Sequence, residues 1–167
     1  MSIQEFYNAA KSMEFARDFQ FRVRTLGPFT DQDLLYLQTA TLPSKDISNQ
    51  QVPFMGLQFN VPGSVTYAGS NAWNVMFWCD EALNIRNKFE NWVKEIFDDE
   101  TSTGKYGVPS EISTLDLLDK NLQPIRRYEL IGVYPISTAT IQYDTKGAGV
   151  PRDFTAVISY HYWRLVS

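Results

Sequence analysis

The chain has 167 residues, of which 44% are hydrophobic and 20% are charged, so it can form a hydrophobic core and is not disordered. Its net charge is −4 and its isoelectric point is about 5.0. This balance argues against tight, general binding to nucleic-acid phosphates, because such binding needs clustered lysine and arginine. The 11 Phe, 9 Tyr and 4 Trp residues favour sheet structure and large buried contacts.

The first part of the chain predicts a short helix or arm followed by strands. Apolar residues recur at helical spacing from Ile3 to Ala10, which predicts a helix or an ordered arm over 3–13. Four segments then alternate apolar and polar residues or carry bulky side chains on both faces, and glycine or proline breaks several of them. These predicted strands are 19–24, 34–41, 55–61 and 73–79. The polar stretch 44–51 is interpreted as a loop.

One amphipathic helix is predicted over about 81–97. Its apolar residues fall at offsets that form a single stripe, and they are Ala82, Ile85, Phe89, Trp92, Val93 and Ile96. Asp80 is the expected N-cap, and Glu90 and Lys94 are spaced to form an ion pair one turn apart. The acidic residues at 98–100 oppose the helix dipole, so the helix should end there.

The rest of the chain predicts more strands and no second domain. The segment 102–107 is interpreted as a mobile loop, and strands are expected at 112–118, 123–134, 137–143 and 154–163. The fold class is therefore mainly β. We expect one domain over 1–167, an antiparallel barrel or sandwich of about seven to nine strands flanked by one helix.

The last predicted strand carries no charged residue from Phe154 to Trp163, when His161 is counted as neutral. One face, which includes Phe154, Ala156 and Ile158, is expected to lie in the core. The other face carries Thr155, Val157, Ser159, His161 and Trp163. Strands normally place charge on a solvated face or an open edge, so we expect another surface to cover this one.

Few residues suggest catalysis or metal binding. Cys79 is the only cysteine and is interpreted as a small buried hydrophobe, and His161 is the only histidine and has no ligand partner at metal spacing. We therefore expect no enzyme activity and no cofactor. No apolar run approaches the ~20 residues of a membrane span, and no secretion signal is visible, so synthesis in the cytoplasm with no membrane anchor is expected.

Several short segments follow one another in a fixed order around the predicted helix: 19–23, 40–43, 53–56, 73–75, Asp80-Glu81 with Arg86, Phe89 and Trp92, then 128–135 and 154–163. In this order they resemble the tail tube protein of contractile-tailed bacteriophages. Tyr134 stands where that family often has tryptophan before proline. The segment 102–109 and the turn near Gly147 show no match.

The resemblance implies a structural protein and not an enzyme. In the family, six copies form a ring, and the rings stack into a hollow tube inside a contractile sheath. The tape-measure protein and then the DNA occupy the lumen without specific binding. The tubes of type VI secretion systems and of phage-derived bacteriocins are similar in fold. The expected partners are other copies, the sheath, the baseplate and the tail terminator, in a virion tail assembled in the host cytoplasm.

Three groups of interaction residues are predicted. An inter-ring loop is expected to include Ser44, Asp46, Gln51, Phe54 and Met55, with 3–13 as the next candidate. A run of acids at the helix end, usually only a solvated face, is a candidate sheath contact, and it comprises Glu95, Asp98, Asp99 and Glu100. Thr155, Ser159 and His161 are expected to face the lumen or an adjoining subunit.

Two alternatives stay open. A tail terminator or an adaptor between baseplate and tube could share the fold and differ in copy number. A small β-barrel that binds an apolar ligand could use the many aromatic residues to line a pocket.

Overall fold

The computed structural model describes residues 2–166, so Met1 and Ser167, the ends of the predicted domain, lie outside the described residues. In chain order the elements are α1 (Ile3–Ser12), β1 (Phe21–Thr25), α2 (Asp31–Leu34), β2 (Leu37–Ala40), β3 (Asp46–Phe54), β4 (Leu57–Thr66), β5 (Trp73–Trp78), α3 (Asn84–Ile96), β6 (Phe97–Asp98), β7 (Thr103–Gly104), β8 (Ile112–Leu118), β9 (Pro124–Ile131), β10 (Tyr134–Thr138), β11 (Asp153–Ser159) and β12 (Tyr162–Leu165). The described residues thus form more strands than the seven to nine predicted.

Two antiparallel four-stranded sheets form a sandwich. The first sheet has the order β1-β8-β9-β12, and the second has the order β10-β11-β5-β2. Two separate hairpins, β3-β4 and β6-β7, complete the strand pairing. The predicted fold class, mainly β with antiparallel sheets and one long amphipathic helix, is confirmed, in the sandwich form and not as a closed barrel.

An aromatic cluster fills the space between the sheets and α3. Phe29 and Phe89 have ring centroids 4.5 Å apart, and Phe77 stacks on Phe154 at 5.9 Å. Trp92 of α3 closes the cluster against Phe29 at 6.3 Å. The predicted apolar stripe of the helix is confirmed at Ile85, Phe89 and Trp92, which are buried. The interior between the sheets and α3 is thus packed with aromatic side chains.

The start of α3 differs from the prediction. The helix begins at Asn84, and its N-cap is Leu83 in the left-handed region, with φ 53°. Asp80 is not the cap; its Oδ2 accepts a hydrogen bond from Asn84 Nδ2 at 2.8 Å. The predicted pair of Glu90 with Lys94 is also wrong, since Glu90 accepts from Arg86 Nε at 2.9 Å.

Two predicted strands are each divided where the chain crosses between the sheets. The predicted strand 123–134 breaks at Gly132, which has φ 75°, and 154–163 breaks at residues 160–161. The two breaks lie against each other, because a Cβ on Gly132 would lie 2.0 Å from His161 Cδ2. The His161 N–H also donates to the Ile131 carbonyl at 2.8 Å. One corner therefore carries both crossovers.

Other predicted boundaries also change. Residues 34–41 divide into the end of α2 and β2, the strand predicted over 137–143 ends at Thr138, and 102–107 contains β7. The largest change concerns 44–51, predicted as a loop, most of which belongs to β3. Its partner β4 continues through Pro62 to Thr66. A proline is tolerated there because a two-stranded hairpin leaves one side of each strand unpaired.

Candidate assembly surfaces

The subunit exposes more surface than a compact protein of its size. Its accessible surface is 12029 Å², whereas a compact monomer of 19.2 kDa would expose about 8,400 Å². The surplus corresponds to roughly four standard protein–protein interfaces of ~800 Å² per partner. Two projections, α1 and the β3-β4 hairpin, account for much of it, because no residue of α1 and no residue of β3 or β4 is buried.

The β3-β4 hairpin has one apolar face that stays exposed among the described residues 2–166. Cross-strand partners lie on the same face, and faces alternate along a strand. The register therefore places Val52 opposite Phe59, Phe54 opposite Leu57, and Gln50 opposite Val61 on a single face. The other face carries amides and prolines, with Gln51 opposite Asn60 and Pro53 opposite Gln58. An exposed apolar face of this kind marks a protein interaction site.

The hairpin tip is a two-residue turn formed by Met55 and Gly56. Both residues have positive φ, 47° and 83°, as the tight hairpin turn with matching twist requires. Met55 is 89% exposed. The predicted inter-ring residues thus lie along the whole hairpin: Phe54 and Met55 are at the tip, Gln51 is midway, and Asp46 and Ser44 are at the base.

Two tryptophans hold the hairpin base to the sandwich. Trp163 Nε1 donates to the Ser44 carbonyl at 2.8 Å, and Trp73 Nε1 donates to the Thr41 carbonyl at 2.9 Å. The rings of Tyr67 and Trp163 also meet edge to face, with centroids 6.5 Å apart. These contacts with the sandwich therefore fix the direction in which the hairpin projects.

The distribution of charge along the sequence carries a signal for the hairpin. No charged residue occurs between Asp46 and Asp80, a longer charge-free stretch than the one in the last strand. The stretch includes nearly all of β3, all of β4 and all of β5. Exposed strands without charge are unprotected against edge pairing, so this stretch indicates a surface that another chain covers.

The outer faces of the two sheets differ in charge. On the first sheet, Asp116 is 2% exposed and accepts from Arg127 Nε at 2.8 Å and Nη2 at 3.2 Å. The hydrogen bond with Asp116 raises the pKa of Arg127. Arg24 lies 3.6 Å from the same carboxylate, and Arg164 pairs with Glu129. This face is rich in arginine.

The outer face of the second sheet carries no charge at its centre. The residues of β5 and β11 that point away from the core include Asn74, Met76, Thr155 and Val157. The predicted residue Thr155 lies on this face and is half-buried. A negatively charged polymer would therefore meet arginine side chains on the first sheet and uncharged side chains on the second.

The last-strand residues do not share one surface. Ser159 is 3% exposed, and its Oγ lies 3.4 Å from Asn71 Oδ1. Its burial inside the subunit removes Ser159 from the candidate lumen or subunit contacts. His161 is exposed at the corner against Gly132, apart from Thr155 in the middle of β11.

The predicted acidic cluster lies at the end of α3 and in the turn after β6. Lys94 Nζ lies 3.9 Å from Asp98 and 3.5 Å from Glu100, so it partly neutralises the cluster. Glu95, Asp99 and Glu100 are exposed, and Asp98 is half-buried. The arrangement leaves a weakly acidic surface at one end of the helix.

The Cys79 side chain is half-buried. Burial raises the pKa of the Cys79 thiol, which makes the reactive thiolate scarcer. Within residues 2–166 no group of three or more His, Cys, Asp and Glu side chains is placed to hold a metal ion. None of the described helices combines the length and the apolar character that crossing a membrane requires.

Comparisons with known proteins agree on one type of fold. A chain in the sixfold-symmetrised baseplate of the anti-feeding prophage has a TM-score of 0.65 and 13% identity, covering 92% of this chain and 97% of that one. A chain of the tube-terminating cap of the same particle has a TM-score of 0.59 and 14% identity, with 93% of each chain covered. No curated protein sequence matches.

A third solved structure and one sequence family also match this chain. A chain in the sheath/tube terminator of an extracellular contractile injection system has a TM-score of 0.56 and 11% identity, covering 93% of this chain and 99% of that one. The sequence profile described as phage tail tube protein matches residues 7–166. The chain therefore belongs to the phage tail tube protein family, and it is a structural tail protein and not an enzyme.

Proposed function

We propose that this chain is the repeating subunit of the inner tube of a contractile tail, and that it forms hexameric rings which stack into a conduit for the genome. The observation that carries the proposal is the exposed β3-β4 hairpin, which carries no charge beyond Asp46 at its base, on a subunit with a large surplus of accessible surface. A protein that works alone would leave this apolar face in contact with water. A single domain formed by the whole chain would be the repeating unit.

Ring closure would use the open edges of the second sheet. One edge is β2 and the other is β10. In a head-to-tail ring, β2 of one copy would pair with β10 of the next, and the unpaired backbone groups of both strands would find partners. Joined in this way, the second sheets of six copies would form one continuous barrel wall.

The uncharged outer face of the second sheet is suited to line the lumen. Thr155 and Asn74 would then face the passing tape-measure protein and DNA. A lumen lined by the arginines of the first sheet would instead attract phosphates and hold the DNA. This contrast supports a wall formed by the second sheet.

Stacking and sheath attachment would use the remaining surfaces. The apolar hairpin face, with its tip at Met55, would dock on the neighbouring ring, and Ser44, Asp46 and Gln51 would border that contact. The acids at 95–100 would meet a basic element of the sheath, although Lys94 weakens this surface. Assembly would take place in the host cytoplasm, with the baseplate at one end and the terminator at the other.

A second candidate is a tail terminator or a baseplate-to-tube adaptor. The similarity of the fold to chains of a baseplate, a cap and a terminator supports it. A terminator would form one ring per particle, whereas a tube subunit would form many.

Electron microscopy of the purified protein, alone and with baseplates, tests the proposal. We expect sixfold rings that stack into long tubes. Single rings that never stack would favour a terminator or adaptor, and monomers that never associate, even with baseplates present, would contradict both candidates.

A further inference from the structure

The N-terminal helix α1 has an apolar stripe that the other described residues, within 2–166, leave largely exposed. Ile3, Phe6, Tyr7 and Ala10 share one face of the helix. No α1 residue is buried, and Ile3 is 90% exposed while Phe6 and Tyr7 are each 60% exposed.

A helix of this length needs a surface to pack on. It has 10 residues and a complete capping box between Ser2 and Glu5. The cap contributes about 1 kcal/mol, but helices shorter than ~12–15 residues are marginal in water on their own. The helix therefore gains its stability by burying the stripe against another surface.

A cleft of matching character lies between the open edges of β1 and β2. Its volume is about 790 Å³, and α1 does not contribute to its lining. The apolar residues that line it are Phe19, Phe21, Val23, Leu34, Leu35, Leu37 and Ala40, and the charged residues that line it are Asp18, Arg22, Arg24 and Asp31. The apolar part of this lining is open to a covering segment that brings apolar side chains.

The dimensions of helix and cleft agree. Ten helical residues measure about 15 Å, and the five residues of β1 measure about 16 Å. The connection over 13–20 can span up to ~26 Å when extended. The helix of one copy can therefore reach beyond its own subunit.

We infer that α1 of one copy lies in the β1-β2 cleft of a neighbouring copy. The inference rests on the proposed function only in that the neighbour is the same chain. Head-to-tail rings require two different, complementary surfaces on each subunit, and the exposed stripe and the open cleft are such a pair. With β2 paired to β10 of the next copy, the β1 edge stays open, and a helix is a common cover for such an edge.

Chemical crosslinking tests the placement. In a Cys79→Ser background, Phe6→Cys is combined with Leu35→Cys in the cleft and treated with a short bismaleimide. The control combines Phe6→Cys with Val108→Cys, which is equally accessible but lies outside the cleft, in the groove beside α3. We expect a ladder of covalent oligomers from the first pair and monomers from the control.

Two outcomes would overturn the inference: no crosslink, or a crosslink confined to single chains, which would place α1 in its own cleft. Electron microscopy of the same samples separates this result from the proposed function. Rings without intermolecular crosslinks would contradict only the helix placement, whereas a ladder without rings would contradict only the hexameric tube. As a second readout, deletion of residues 2–12 should leave the melting temperature unchanged and weaken assembly, because α1 has no buried residue.

Discussion

Trp163 donates its indole N–H to the carbonyl oxygen of Ser44 at 2.8 Å, and this bond joins the last strand to the base of the β3-β4 hairpin. The two residues are 119 positions apart in sequence. The direction of an exposed hairpin thus depends on a side chain at the other end of the chain.

Replacing Trp163 with Phe should loosen the hairpin. The change removes one hydrogen bond, worth about 0.5–1.5 kcal/mol, while most of the aromatic contact remains. Urea denaturation should report this loss, and hydrogen exchange should rise over residues 46–66. Trp78→Phe is the control, because Trp78 is also partly exposed and makes no indole hydrogen bond within residues 2–166. Equal effects of both changes would contradict the role of the Ser44 bond.

Polar substitution on the apolar hairpin face should block stacking without unfolding the subunit. Phe54 and Phe59 are exposed, so changing both to Ser should alter the free energy of unfolding by no more than about 0.5 kcal/mol. Electron microscopy should then show rings but few tubes. Changing Gln58 and Asn60 to Ser on the opposite face should leave tubes intact. Normal tubes from the Phe variant would place the stacking surface elsewhere.

Adding a methyl group at Gly132 should destabilise the corner for two separable reasons. Gly132 has φ 75°, and the added Cβ would lie 2.0 Å from His161 Cδ2. Gly149→Ala isolates the backbone strain, since Gly149 has φ 79° and no atom within 4 Å of its Cβ position. We expect Gly132→Ala to cost more than the ~1–3 kcal/mol of such strain, and His161→Ala to recover part of the excess. Thermal unfolding of Gly132→Ala, Gly149→Ala, His161→Ala and the double variant Gly132→Ala/His161→Ala measures these losses. Equal losses at the two glycines would show that the His161 contact is unimportant.

The ion pair between Asp33 and Lys88 should make the free energy of unfolding depend on pH. Burial acts to raise the pKa of Asp33, but hydrogen bonds from Lys88 and Thr30 lower it below its usual value overall. A lowered folded-state pKa means that the stabilisation is present above the unfolded-state pKa of about 3.9 and is lost as pH falls through the folded-state pKa. Asp33→Asn should therefore lose less stability than the wild type between pH 7 and pH 3 in urea titrations. Asp31→Asn, at an exposed neighbouring position, should behave like the wild type.

A lysine on the uncharged face of the second sheet should slow genome passage. Asn74 is exposed on β5, so Asn74→Lys should permit folding and add six positive charges to each ring of the proposed lumen. Phage with normal tubes and slower DNA release would support the assignment, measured by release kinetics in vitro at two salt concentrations. Asn121→Lys, in an exposed turn of the other sheet, serves as the control. Unchanged release by Asn74→Lys would exclude this face from the lumen.

Much of the architecture follows from local pattern. The period of two places Phe154, Ala156 and Ile158 on the core face of a strand, and they are buried. The helical stripe likewise predicts the burial of Ile85, Phe89 and Trp92. These elements are predictable because each buries one continuous apolar face. The apolar residues of that face recur along the sequence with the period of the helix or strand.

The assembly surfaces depend on contacts that local pattern does not contain. Residues 44–51 are mostly polar, which is typical of a loop, yet most of them pair with β4 to form a strand. Ser159 lies on the same strand face as the half-buried Thr155 and Val157, yet its side chain is 3% exposed and contacts Asn71. In both cases a distant segment supplies the partner.

The sequence by itself determined the class of fold, the core residues of its main elements, the absence of charge from the last strand and the resemblance to tail tube proteins. Only the tertiary structure decided that residues 154–163 divide between two sheets, that the uncharged hairpin projects from the body, and that α1 and an open cleft both stand without partners. The physical reason is that spacing specifies which side of an element is apolar, whereas long-range pairing and packing decide whether that side faces the core or is left for another molecule.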